Sequence, residues 1–218
     1  MPESSYSNIR NIILDLGGVI IDLDYSRTAG AFIHLGMSGF DEVYSKARQT
    51  AFFDDFEKGF LDEDAFRADL RKHLPDHVTD RDIDRAWNAM LLGVPMYRID
   101  WLRQLGKHYR LFLLSNTNTI HIRAFTEMLD REFNGFRIEE LFEKSYFSCL
   151  LGMRKPDRNI FLHVLNENGL DPADTLFVDD SIQHIEGATA AGIRAEWLNL
   201  EAGELTEMKY RLLFDAEN

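Results

Sequence analysis

A single cysteine, Cys149, stands in the 218 residues. One thiol closes no disulfide within the chain and furnishes no cysteine-based zinc cage, so neither device staples this fold. Beside Leu150 and Leu151 it reads as a small buried hydrophobe. Basic side chains are also scarce. Lys and Arg number 24 against 37 Asp and Glu, a formal charge of −13 with His neutral. Nucleic acid and anionic membrane surfaces are bound by a surplus of Lys and Arg, so neither is an expected partner. No apolar run approaches the roughly 18 residues that span a bilayer. Residues 1–8 lack the basic stretch and apolar segment of a secretory leader, which makes a cytoplasmic location the expectation. No repeat or low-complexity tract is visible. With so much negative charge, an anionic substrate must be held by a local positive centre.

The rest is an ordinary globular composition, 45% hydrophobic and 28% charged, in a chain long enough to bury a sizeable core. Three short apolar runs stand out. Residues 12–14 end at Asp15, residues 111–114 end at Ser115, and residues 176–178 end at Asp179. Continuous apolar runs of this length predict strands covered on both faces, as in a parallel sheet between helices. Residues 194–197 predict a further strand. Between the runs lie helical patterns: Ile99, Leu102 and Leu105, then Ile160, Phe161, Val164 and Leu165 with Asp157 as candidate N-cap and Gly169 past the end. Residues 182–191 are Ala-rich and stop at Gly192. Alternating strand and helix predict an α/β, doubly wound, Rossmann-like core.

Residues 25–95 break that rhythm. They hold no convincing buried strand and are rich in Phe (Phe32, Phe40, Phe52, Phe53, Phe56, Phe60, Phe66). A crossover needs only about a dozen residues, so this stretch predicts an inserted helical subdomain. The expected division is residues 1–24 and 96–218 for the core and 25–95 for a helical cap. The acidic tail after residue 200 predicts one closing helix.

In an open parallel sheet, ligands bind beyond the carboxyl ends of the strands. The runs deliver Asp15, Ser115-Asn116 and Asp179-Asp180 to that edge, and the loop Gly152-Met153-Arg154-Lys155-Pro156 adds a lysine. Carboxylates hold a hard cation through oxygen. An ammonium and a hydroxyl neutralise and orient phosphate oxygens. One carboxylate can attack phosphorus.

These segments, in this order, resemble the haloacid dehalogenase superfamily of phosphohydrolases, in the branch with a helical cap after the first strand. Asp15-Leu16-Gly17-Gly18-Val19 is similar to its first motif, Leu114-Ser115-Asn116-Thr117-Asn118 to its second, Gly152-Met153-Arg154-Lys155-Pro156 to its third, and Val178-Asp179-Asp180-Ser181 to its fourth. The Asp-Leu-Gly start, the Ser-Asn-Thr-Asn run and the Leu-Gly-Met-Arg-Lys-Pro loop also resemble bacterial α-D-glucose-1-phosphate phosphatases. The resemblance implies Asp15 as nucleophile and Lys155 as its partner in charge screening. It implies phosphate binding by Gly17, Gly18, Ser115, Asn116 and Lys155. Mg²⁺ would be held by Asp15, the Gly17 carbonyl, and Asp180 with or without Asp179. The implied partner is a small phosphorylated metabolite such as a sugar phosphate, and the chain a monomer or homodimer.

One departure matters. Most phosphatases of this superfamily carry a second Asp two residues after the nucleophile, as general acid and base; here that position is Gly17. Losing such a group costs about 10²–10⁴ in rate. Three readings follow. In the first, the leaving group needs little help, as an anomeric oxygen would. In the second, another acid substitutes, with Asp22, Asp24, Asp54 and Asp55 as candidates. Or turnover is weak and the chain is a phosphate-binding regulatory module. A metal-independent 2-haloacid dehalogenase is a further alternative, since halide leaves without a proton; the adjacent Asp179 and Asp180 argue against it, because neighbouring acids at a sheet edge need a cation. The seven His show no metal-ligand spacing and are expected on helix surfaces or in structural roles, with His184 nearest the site. Trp87, Trp101 and Trp197 are expected in packing.

Overall fold

The computed structural model describes residues 6–37, 40, 51–199 and 212. Its centre is a five-stranded sheet of β1 (Asn11–Leu14), β4 (Arg110–Ser115), β5 (Lys144–Phe147), β6 (Thr175–Asp179) and β7 (Arg194–Trp197), in the order β5-β4-β1-β6-β7. Every pairing in it is parallel. β1 lies in the middle, so the connections run first to one side and then to the other. This is the predicted doubly wound α/β fold.

Strand periodicity explains the layers. Ile12 and Leu14 of β1, Leu111 and Leu113 of β4, and Leu176 and Val178 of β6 pack on one face. Against them lie Ile99, Leu102 and Leu105 of α5 (Met96–Leu105) and Phe125 and Leu129 of α6 (Thr119–Glu132). The alternate residues Ile13, Phe112, Leu114 and Phe177 face the other way. They meet Ile160, Phe161, Val164 and Leu165 of α8 (Arg158–Asn168) and Ala188 of α9 (Ile182–Ala190). Both faces are therefore apolar, which is why these strands read as unbroken runs.

Some local expectations change. β5 carries Lys144, Ser145 and Tyr146 at the sheet edge and shows no apolar run. Asp157 occupies the N-cap position of α8 without a side-chain capping bond; its carboxylate lies 3.9 Å from Lys58 instead. Gly169 does close that helix, with φ of 61°. Trp87 and Trp101 are buried, whereas Trp197 is 42% exposed and donates its indole N–H to the Asp180 carbonyl at 3.0 Å. Cys149 is half-buried against the core, where burial pushes its thiol up to about 11. The closing helix expected after residue 200 lies outside the described residues. Among the described residues, no helix is long and apolar enough to cross a membrane.

Between β1 and α5 the chain forms β2 (Asp22–Leu23), α1 (Tyr25–His34), α2 (Ala51–Glu57), α3 (Glu63–Arg71), α4 (Asp80–Trp87) and β3 (Leu91–Gly93). β2 and β3 pair antiparallel, so both ends of this stretch lie side by side. A two-stranded ribbon is thus added to the expected helices. The helices share their own aromatic core, in which Phe32 stacks on Phe40, Phe53 on Trp87, and Phe56 on Phe66. Phe60, by contrast, is 68% exposed.

An ion network ties α3 and α4 to α6. Arg123 donates to both Glu63 oxygens at 3.1 and 3.0 Å. Arg67 joins Glu63 at 2.7 Å and Asp84 at 2.8 and 2.9 Å. Partial burial alone would raise the Glu63 pKa, but the bonds from Arg123, Thr119 and Arg67 outweigh it and hold the carboxyl at about 2. A carboxyl depressed on folding stabilises the fold above its unfolded pKa and ceases to do so as pH falls through the folded value. The contribution is therefore present above about 4.5 and lost between 4.5 and about 2. Glu63→Gln is expected to flatten the stability profile over that window, as read by chemical denaturation at successive pH values. An unchanged slope would rule out the network as a source of acid lability.

Candidate active site

Asp15 directly follows Leu14 and is 7% exposed. Ser115 ends β4, Asp179 ends β6, and Asp180 follows it. Parallel register brings these ends together, with Leu14 opposite both Leu113 and Val178. The cleft lies beside β1, where the strand order reverses, as expected for a ligand site in this architecture.

Lys155 is fully buried and donates to Asp15 Oδ1 at 2.7 Å and to Asp179 Oδ2 at 2.6 Å. Burial works against its charge, but the two carboxylates win and hold the ammonium above its ordinary pKa. They do not fare alike. Burial dominates at Asp15 and is reinforced by Asp179 and Asp180; although Lys155 opposes it, the carboxyl is raised to about 7. At Asp179 the same burial is overcome by Lys155 and His184, which hold the group at about 2. Asp179 Oδ1 also accepts from the Ser181 backbone N–H at 2.8 Å, and His184 Nδ1 lies 2.9 Å from both carboxylate oxygens. His184 is thus part of the site and not a helix-surface residue. Asp15, Asp179 and Asp180 each offer an oxygen, all within 4.8 Å of one another. One lysine cannot neutralise three carboxylates, and a divalent cation would complete the balance. The donor set, all oxygen, fits Mg²⁺. Gly18 makes room for the Asp180 carboxylate: with φ of 77°, a Cβ there would lie 2.4 Å from Asp180 Oδ2.

The Asn116 side chain lines the cleft and also holds the Lys155 loop. Its Nδ2 donates to the Lys155 carbonyl at 2.8 Å and its Oδ1 accepts from the Lys155 N–H at 2.9 Å. Asn116 thereby fixes the loop that carries Lys155, a role not expected of it. Ser148 Oγ, at the start of α7 (Ser148–Leu151), secures Thr117 in the same way, accepting from its N–H at 2.9 Å and donating to its carbonyl at 3.1 Å. From the opposite side α9 presses on this loop. A Cβ at Gly187 would meet the Pro156 carbonyl at 2.3 Å, so only glycine permits the approach.

At Gly17 the position of the missing acid is filled. A Cβ there would lie 2.7 Å from Leu23 Cδ1. The candidate substitutes separate clearly. Asp22 pairs with Arg98 at 2.7 Å, and Asp24 caps α1 by accepting from Ser26 N–H at 3.0 Å. Neither lines the cleft, nor does Asp55; Asp54 does. It is bound by Arg154 Nη1 at 2.6 Å, while Arg154 Nη2 lies 2.9 Å from Glu57. Arg154 and Glu57 also line the cleft and were missed as site residues. Arg154 precedes Lys155 and could have been suspected; nothing in the local pattern marks Glu57. His121 is buried, not on a helix surface. It stacks on Trp87 with centroids 5.2 Å apart, and burial lowers its pKa to about 3. His163 is on the surface, beside Glu167.

A buried carboxylate paired with a buried lysine thus lies beside a crowded acidic pair at the carboxyl edge of a doubly wound sheet. The chain belongs to the haloacid dehalogenase-like hydrolases, whose family model matches residues 9–192. It is 33% identical over 177 residues to the D-ribitol-5-phosphate phosphatase of Bacteroides thetaiotaomicron, covering 81% of this chain and 85% of that protein. A HAD family enzyme of the same organism, solved with magnesium and inorganic phosphate, superposes with a TM-score of 0.78 at 34% identity over 88% of this chain and 94% of its own. A HAD-like family hydrolase of Porphyromonas gingivalis gives 0.82 at 30% identity, covering 94% and 98% of the two chains.

Proposed function

We propose that the chain is a Mg²⁺-dependent phosphatase acting on a small phosphorylated sugar or sugar alcohol, with glucose-1-phosphate and a pentitol phosphate as candidates. The observation that carries this is the buried Asp15 held by Lys155 beside Asp179 and Asp180. The curated relative's substrate and the neighbour solved with magnesium and phosphate support it. Residues 25–95 are read as a cap over a core of 1–24 and 96–218, with the organic part of the substrate toward the cap.

Asp15, as carboxylate, attacks phosphorus; the bond from phosphorus to the leaving oxygen breaks, and an aspartyl-phosphate forms on Asp15. Water then cleaves it to inorganic phosphate and free Asp15. Lys155 holds charge between nucleophile and phosphate. Ser115 and Asn116, with the Gly17 backbone N–H, orient the phosphate; the Gly18 N–H, also expected there, instead donates to the Ile21 carbonyl at 2.8 Å. Mg²⁺, held by Asp15, Asp180 and the Gly17 carbonyl, would supply neutralisation of the phosphate oxygens. Asp179 already serves Lys155, Ser181 and His184, which favours Asp180 as the direct ligand. With no side chain at Gly17 to protonate the leaving oxygen, an acidic leaving group such as an anomeric hydroxyl is favoured. Halide displacement would leave the crowded acid pair unexplained.

Phosphate release from a panel of sugar and sugar alcohol phosphates is expected with Mg²⁺, to fall to background in EDTA, and to return on adding Mg²⁺. Binding without release would support the regulatory module, and metal-independent halide release from a 2-haloacid the dehalogenase.

A further inference from the structure

We propose that Asp54, Glu57 and Arg154 form a charge filter for the leaving group, admitting neutral polyhydroxylated groups and rejecting a second anionic group. This rests on the phosphatase reading and concerns the end of the cleft away from Asp15.

The cleft holds about 300 Å³, the low end for a small-molecule site, which suits a five- or six-carbon leaving group better than a nucleoside. Leu23, Tyr25, Trp87, Met90 and Leu91 supply an apolar and aromatic wall. Beyond Asp15 and Asp180, the formal charges that line it among the described residues are Asp54, Glu57 and Arg154. His121 also faces it, where burial lowers its pKa to about 3 and favours a neutral ring, and His184 sits against Asp179 at 2.9 Å.

A second phosphate or a carboxylate needs a cation with donors to spare. The guanidinium in this cleft is instead engaged by two carboxylates, at 2.6 and 2.9 Å. With two acids and one base, the group carries a net negative charge. It repels an anion, whereas its carboxylates accept from hydroxyls. The geometry is fixed from both sides. Asp54 and Glu57 lie three residues apart on α2 and so share a helix face, and Arg154 is set by its neighbour Lys155, whose backbone Asn116 clamps. Rejection by like charge is a familiar route to specificity.

The test uses the full chain with Mg²⁺ and acetyl phosphate as a phosphoryl donor that lacks a polyol. A pentitol phosphate and the corresponding aldonic acid phosphate, which differ by one carboxylate, are compared as competitors of its hydrolysis. The unmutated chain is expected to bind the pentitol phosphate at least about tenfold more tightly. Asp54→Asn with Glu57→Gln should cut that preference by about tenfold, chiefly by tightening the acid. The readout is a ratio within one protein, so altered overall activity cancels. If the double variant fails to fold, Glu57→Gln alone should move the ratio in the same direction. Equal inhibition by the two compounds in the unmutated chain, or a ratio unmoved by neutralisation, overturns the filter while leaving the phosphatase reading intact. Failure of the unmutated chain to release phosphate from both acetyl phosphate and the pentitol phosphate overturns that reading and the filter with it.

Discussion

Asp15→Asn is expected to lower phosphate release by about 10⁴-fold or more, because the amide has no anionic oxygen with which to attack phosphorus. The fold should survive, for a reason that lies in the local charges. Asp15 is isosteric with the amide, and Lys155 keeps Asp179 as its counter-ion at 2.6 Å. In the metal-free protein the substitution should even stabilise. A carboxyl raised to about 7 on folding is ionised in the unfolded chain from about pH 4 upward. It therefore costs stability increasingly from there to about pH 7, and the cost persists above it. Asn removes that cost, so the metal-free variant should melt at or above the parent temperature at neutral pH. With Mg²⁺ the order should reverse, since the parent then gains more from the cation than a variant that has lost a ligand. Full activity in Asp15→Asn would refute the nucleophile assignment. Lost activity together with a lower metal-free melting temperature would mean that Asp15 acts mainly as a structural partner of Lys155.

Much of this site was legible because it sits where local pattern is strongest. β1, β4 and β6 are covered on both faces, so each appears as an apolar run, and each run ends on a residue of the cleft. β5 was silent because an edge strand with Lys144 and Ser145 carries no such run. The contacts that complete the site are of another kind. Arg154 meets Asp54 across 100 residues of sequence, and Lys155 meets Asp15 across 140. The second pair could be proposed from family motifs; the first has no motif. Asn116 shows the same limit. Its type and position suggested a ligand for phosphate, but nothing local told that its carboxamide would also hold the backbone N–H and carbonyl of Lys155 across 39 residues. The same holds for Gly17, where the absence of an acid was plain but its replacement by the Leu23 side chain was not.

Lys155→Met should damage stability and turnover together, and the response to Mg²⁺ distinguishes the two. The ammonium is fully buried between Asp15 and Asp179. Removing one member of a buried ion cluster strands the others and costs about 3–5 kcal/mol. For a chain of this size that is a fall in melting temperature of roughly 10 °C. Methionine fills similar volume, so little of the loss is cavity formation. Turnover should fall by about 10²–10³-fold, the usual effect of deleting one preorganised donor to a developing negative charge. Arginine should not rescue either property, since its planar fork does not fit a pocket closed around a single ammonium. A divalent cation at the acid cluster should restore part of the melting temperature, and more of it than it adds to the parent, because it replaces the missing positive charge among Asp15, Asp179 and Asp180. It should not restore turnover to the same degree, because a cation among the acids does not reproduce the Lys155 donor beside Asp15. A variant that melts like the parent without metal would show that the carboxylates relax at no cost, and the charge balance argued for this cleft would fail with it.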